Sequence, residues 1–156
     1  VSEAEFSPAA APRPQGRYVT AVAGAGLLVS AGMTPRAGGE LVLRGRAGAE
    51  LDTVAAAGAA RIAARNALAA LAGIAGGPDG IGRLLRMTVY VACTDDFTAL
   101  SAVADGASAA LAEMHGAEAL PARSAIGVRA LPDGAPVEVE LMAAAVTENP
   151  ARRRQP

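Results

Sequence analysis

LPARSAIGVRALPDGAPVEVELMAA, residues 120–144, sets one arginine, Arg123, at the head of a short apolar segment. A Leu131-Pro132-Asp133-Gly134 turn follows, and then a strand that alternates Val137, Glu138, Val139, Glu140, Leu141. Successive side chains of a strand point to opposite faces, so Glu138 and Glu140 share one face and the three apolar residues share the other. Two strand-like runs around a turn predict a hairpin over Ser124–Ala144. In such a hairpin a cation and two carboxylates meet at a sheet margin. That suits a small anion held by Arg123 beside a water held by a carboxylate.

Upstream of this stretch the chain alternates strand and helix signals. Tyr18 to Ala23 and Leu27 to Ala31 read as two short strands around Gly24-Ala25-Gly26. Thr34 to Gly48 reads as a loop with a short extended piece at Leu41-Val42-Leu43. A helix is predicted from about Asp52 to Ile74, capped by Asp52 or Thr53 and stopped by Gly76-Gly77-Pro78. Leu84 to Ala92 reads as a strand with Val89 and Val91 on one face and Thr88 and Tyr90 on the other. Phe97, Leu100, Val103, Ala104, Ala107, Leu111 and Met114 recur at helical spacing and predict a second helix from about Asp96 to His115. The order is β-β-α-β-α-β-β. Helices gathered on one face of a mixed sheet make an α+β two-layer domain. The expected organisation is a flexible N-terminal arm over 1–15, one domain over 16–146 and a disordered tail over 147–156.

Composition narrows the function classes. The chain has 156 residues, a net charge of −1 and 3% aromatic residues, and all 14 basic residues are arginine. So little basic excess, with few rings to stack on bases, argues against a nucleic-acid partner. One cysteine, Cys93, and one histidine, His115, cannot supply the usual zinc set, so no structural zinc is expected; a carboxylate-only site for a hard cation stays open, and no metal is assigned to the site. A lone cysteine fits a reducing compartment. Val1 to Gly16 lacks the basic start and apolar core of a signal peptide, and the run Ala21 to Ala31 is too short to span a bilayer. A cytoplasmic protein with no membrane partner is expected. Cys93 after a strand and His115 at a helix end have no reason to meet as nucleophile and base. The Gly-rich run from Gly76 to Gly82 precedes a strand, which is the wrong context for a phosphate loop.

The Pro121-Ala122-Arg123-Ser124 motif, followed by Leu131-Pro132 and the Val137–Glu140 strand, resembles the C-terminal signature of the RidA/YjgF family of enamine and imine deaminases. Gly16-Arg17-Tyr18-Val19 is similar to that family's start. Val29-Ser30-Ala31-Gly32-Met33-Thr34-Pro35 is similar to its Val-Ser-Gly-Gln-x-Pro strand end, with one extra residue before the proline. Ala59-Ala60-Arg61 with Asn66-Ala67-Leu68, and Val89-Tyr90-Val91 with Phe97, resemble its first helix, central strand and second helix. The resemblance spans Gly16 to Ala145. It implies a chorismate-mutase-like fold, assembled as a homotrimer with sites between subunits.

The resemblance also implies roles. Arg123 binds the substrate carboxylate, Glu138 holds the hydrolytic water, Tyr18 lends its hydroxyl, and Ala31 and Gly32 shape the pocket. Ala31 stands where the deaminases have a glycine, and Gly32 where they have a glutamine. Ser101 replaces an asparagine, and Ala125 and Gly127 replace a Cys and a Glu. The ARSAIGV and Asp105-Gly106-Ala107-Ser108 segments mark a separate branch. The implied function is hydrolysis of a small carboxylate-bearing enamine or imine to a keto acid and ammonia, as in a 2-iminobutanoate/2-iminopropanoate deaminase, with no cofactor. The alternatives are a trimeric ligand-binding or regulatory member without turnover, or a same-fold enzyme acting on another small carboxylate.

Overall fold

A computed structural model describes residues 13–146. Its elements run β1 (Ala21–Gly24), β2 (Leu27–Ser30), β3 (Arg36–Ala37), β4 (Glu40–Leu41), α1 (Thr53–Ala75), β5 (Ile81–Ala92), α2 (Leu100–His115), β6 (Ala122–Val128) and β7 (Val137–Ala145). The expected order is present, with a two-residue ribbon, β3–β4, added in the loop before α1. The expected arm over 1–15, apart from residues 13–15, and the tail over 147–156 lie outside the described residues.

Local chemistry sets the helix ends. The Asp52 carboxylate accepts the Ala55 N–H at 2.8 Å and caps α1. At the other end Gly76 takes the left-handed conformation, φ 78°, and its N–H returns to the Ala72 carbonyl. Between them α1 buries mainly alanine: Ala56, Ala59, Ala60, Ala63, Ala64 and Ala67 lose almost all their exposure, alongside Leu68 and Leu71. Small side chains let α2 approach until Gly106 lies directly over the Ala57 carbonyl, where any Cβ would collide with it. The predicted face of α2 is the one buried, through Val103, Ala104, Ala107 and Leu111.

The strands form one five-stranded sheet in the order β1-β2-β7-β5-β6. Both helices cover one face, where Leu28, Met87, Val89, Val91, Val137, Val139 and Leu141 meet them in a single core.

The predicted Ser124–Ala144 hairpin does not form. β6 runs parallel to β5, and β7 lies on the other side of β5, antiparallel to it. The link over 129–136 passes around the end of β5, where the Ala92 N–H donates to Pro136 O and the Cys93 N–H to Val128 O. Its turn is a single 3₁₀ turn at Pro132–Gly134 with Asp133 at φ 58°. Eight residues are too many for a tight hairpin turn. The connection β5–α2–β6 is instead a parallel crossover, which needs a helix-length link. β6 is therefore a sheet edge with an open side.

Candidate functional site

Glu138 sits where the sheet is interrupted. Val29 of β2 pairs with Met142 of β7, but the next bridge joins Met33 to Val139. Ser30, Ala31 and Gly32 thus face only Glu140 and Leu141, a one-residue bulge. The bulge falls in the segment that carries one residue more than the family motif. Buried Ser30 repairs the ladder, its Oγ accepting the Leu141 N–H at 2.9 Å. Met33 and Val139 then exchange two backbone hydrogen bonds of 2.9 Å and close it again. Inside the bulge Gly32 lies against Glu138 so closely that any Cβ there would overlap the carboxylate. Two residues expected to share the site are brought together, and the glycine is needed to seat the acid.

The face that carries Glu138 is the one the helices leave uncovered. Tyr90 of β5 pairs with Glu138, and Thr88 with Glu140. The Tyr90 hydroxyl donates to Glu140 Oε2 at 3.1 Å, and Arg86 Nη2 donates to Ser124 Oγ at 2.7 Å. Burial, and then the negative charge of Glu140, push the Glu138 carboxyl above its ordinary range. Burial, and then Glu140, likewise raise the Tyr90 hydroxyl, which stays protonated as a donor. Tyr90 is a residue that sequence reasoning did not assign to the site. The signal was present, since it alternates onto the same face as the glutamates.

Arg123 lies on the opposite face. It pairs in register with Met87, and Met87 with Leu141, both buried under the helices. Its Nη1 donates to Asp105 Oδ1 and to Ser108 Oγ, both at 2.8 Å. Its Nη2 reaches only the Ser101 carbonyl, at 3.5 Å. Ser101, Asp105 and Ser108 are spaced i, i+4, i+7 on α2 and so form one stripe toward the β6 edge. The expected juxtaposition of Arg123 with Glu138 and Glu140 within one chain is therefore corrected. Two strand spacings and three residues of rise put the two Cα atoms roughly 14 Å apart, with side chains on opposite sides of the sheet.

The remaining candidates are separate. Tyr18 precedes β1 on an exposed bend, and its hydroxyl accepts the Gln15 N–H at 3.1 Å. Among the described residues no hydrogen bond joins Tyr18 to Glu138 or Arg123. Ala31 packs against the core, and its N–H donates to Thr20 O at 2.8 Å. Cys93 follows β5 at one end, whereas His115 Nε2 bonds Gly82 O at the other, at 2.8 Å. About ten residues of strand separate them, as expected for groups that do not cooperate. Cys93 Sγ fills the space beside Gly127. An open cleft of about 260 Å³, lined by Arg44, Arg46, Glu50 and Arg129, involves none of the five candidates. Among the described residues no cluster of acids, His or Cys is placed to hold a metal, and no helix is long and apolar enough to cross a membrane.

Comparison with known proteins agrees with this architecture. The family model described as Endoribonuclease L-PSP matches residues 8–145, and the chain belongs to that family, the RidA/YjgF group whose motifs it carries. It is 34% identical over 134 residues to the protein TCP17 of Trypanosoma cruzi, covering 85% of this chain and 84% of the relative. The fold matches a crystal structure of a protein of unknown function from Agrobacterium tumefaciens, with a TM-score of 0.80, 30% identity and 86% of each chain covered. It also matches the YjgF gene product of E. coli, with a TM-score of 0.63 and 26% identity, covering 92% of this chain and 98% of that one.

Proposed function

Given that family, we propose that the chain hydrolyses small enamine or imine carboxylates, and that the reaction takes place between two copies of it. The observation that carries this reading is Glu138. It is a half-buried carboxylate with a raised pKa, on a sheet face that neither helix covers, seated by a glycine beside a bulge. An acid with its pKa moved toward the working pH is suited to take a proton from water.

The enamine tautomerises to the imine. Glu138 orients a water and takes its proton as the oxygen adds to the imine carbon. Glu138 returns that proton to the imine nitrogen, giving a carbinolamine. The hydroxyl proton then passes to the amine as the C–N bond breaks, so the C=N bond becomes C=O and the products are a keto acid and ammonia. The imine carbon is already electrophilic, so the step asks for no cofactor. Arg123 holds the carboxylate. Because Arg123 and Glu138 occupy opposite faces of one sheet, a small substrate can meet both only if a second subunit supplies one of them. Arg123 lies on the β6 edge with its side chain partly exposed, and in this reading a homotrimer closes three such sites. Tyr18, Ala31 and Gly32 line the cleft in this reading. The enzyme works in the cytoplasm, where the free thiol of Cys93 persists.

A second reading, a ligand-binding trimer without turnover, is favoured by Ala125 and Ser101. Ala125 packs against the core, and Ser101 offers Arg123 only a backbone carbonyl. Ammonia release from 2-imino acids generated in situ separates the two. The hydrolase reading expects wild-type turnover that collapses in Arg123→Ala and Glu138→Gln. Turnover indistinguishable from the uncatalysed rate, with keto-acid binding retained, selects the second.

A further inference from the structure

The hydrogen bonds of Arg123 specify which edge of its guanidinium meets a ligand. Nη1 has two protons, and both are used, one by Asp105 Oδ1 and one by Ser108 Oγ. The other edge carries the Nε and Nη2 protons side by side. Nε has no partner among the described residues, and Nη2 has only the long contact to the Ser101 carbonyl. That edge is a planar two-pronged donor matching a carboxylate. The Asp105 side chain is itself 71% exposed, so it adds a negative charge at the mouth of the site without closing it.

We propose that Asp105 and Ser108 are positioning residues that fix Arg123 with its Nε–Nη2 edge presented to ligand, and that Asp105 thereby selects monoanionic carboxylates over more highly charged anions. The inference rests on Arg123 being the carboxylate anchor. Two physical effects follow. Holding Nη1 at two points removes the rotamer freedom that a long side chain would lose on binding. The Asp105 charge repels a second negative group that a dianion would bring within a few ångströms.

The test is titration of the full-length protein with pyruvate, and separately with inorganic phosphate at about pH 8. The variants are Asp105→Ala, Asp105→Asn, Ser108→Ala and Arg123→Ala, each first shown to keep the wild-type assembly. Asp105→Ala should weaken pyruvate binding by about tenfold, the loss of one charged hydrogen bond. Ser108→Ala should weaken it less. Asp105→Asn keeps an acceptor for Nη1, so pyruvate affinity should stay within about threefold, while phosphate binding improves because the repelling charge is gone. In an Arg123→Ala background Asp105→Ala should have no further effect, since its role runs through the guanidinium. A merely structural Asp105 would leave the pyruvate-to-phosphate preference unchanged in Asp105→Asn. That result, or additive losses in the double variant, overturns the proposal while leaving the site intact. Unaltered pyruvate affinity in Arg123→Ala overturns the anchor itself.

Discussion

At the scale of single residues, Glu138 and Gly32 form one device. Gly32→Ala introduces a methyl group where the carboxylate now lies, and the acid must leave its seat. Turnover should fall by at least ~10-fold with little loss of stability, because the carboxylate is the end of a flexible side chain and can swing toward solvent. Full activity in Gly32→Ala would show that Glu138 needs no fixed seat. The raised pKa of Glu138 adds a pH-dependent effect. A carboxyl whose folded pKa is raised binds its proton more tightly in the folded than in the unfolded chain. Its contribution to stability is complete below the ordinary glutamate value of 4.5 and is lost as pH rises through the folded value. Glu138→Gln, neutral at every pH, should therefore melt above wild type near pH 8 and by a smaller margin near pH 4. Equal margins in thermal melts at the two pH values contradict the desolvation account. In turnover the same variant should lose ~10²–10⁴-fold, the span of general acid–base catalysis.

At the scale of elements, the contact between α1 and α2 rests on Gly106. Gly106→Ala gains helix propensity of about 1 kcal/mol but drives a methyl into the Ala57 carbonyl, and overpacking of this kind costs about 1–3 kcal/mol. Backbone cannot swing aside as a side-chain end can, so a lower Tm is expected. A rise in Tm would mean that the helices separate at little cost. Both helices were legible in the sequence because their signals are local: a cap at Asp52, a stop at Gly76 and an apolar period in α2, although α2 begins at Leu100, about one turn after the expected start at Asp96. The alternation that puts Glu138 and Glu140 on one strand face was legible for the same reason, whereas the role of Glu138 came from the family resemblance. The partner of Arg123 was not. A turn motif such as Leu131–Gly134 reports that the chain reverses, but not which strand lies next to which. Here the reversal passes around β5, and the pairing depends on where β5 already sits. The Asp105–Ser108 segment stood out as unusual, yet its meeting with Arg123 is a contact between a helix and a sheet edge, which no local pattern encodes. The bulge left a trace as one extra residue before Pro35, but whether an extra residue bulges or lengthens a loop is decided by the facing strand.

At the scale of the whole molecule, the uncovered face carries Val22, Val29, Ile126 and Met142 among its polar groups, with Val22 and Ile126 exposed at 53% and 41%. An apolar surface of this kind, continuous with a carboxylate that forms no salt bridge among the described residues, is one that self-association would bury. Sedimentation at micromolar concentration should give three times the 15.4 kDa chain mass. A monomer would leave Arg123 and Glu138 on opposite sides of one sheet, with no common substrate.

A site that takes Arg123 from one copy and Glu138 from another can be rebuilt by mixing two inactive proteins. Arg123→Ala and Glu138→Gln, each without turnover alone, are co-expressed with different tags and the mixed assemblies are isolated by both tags. Random assembly at equal amounts leaves about a quarter of all sites with an intact pair, and isolating only mixed trimers raises that to about a third. Ammonia release on a 2-imino acid should accordingly return to roughly that fraction of the wild-type rate. Mixed assemblies as inactive as their parents, beside an active wild type, would contradict a site shared between chains.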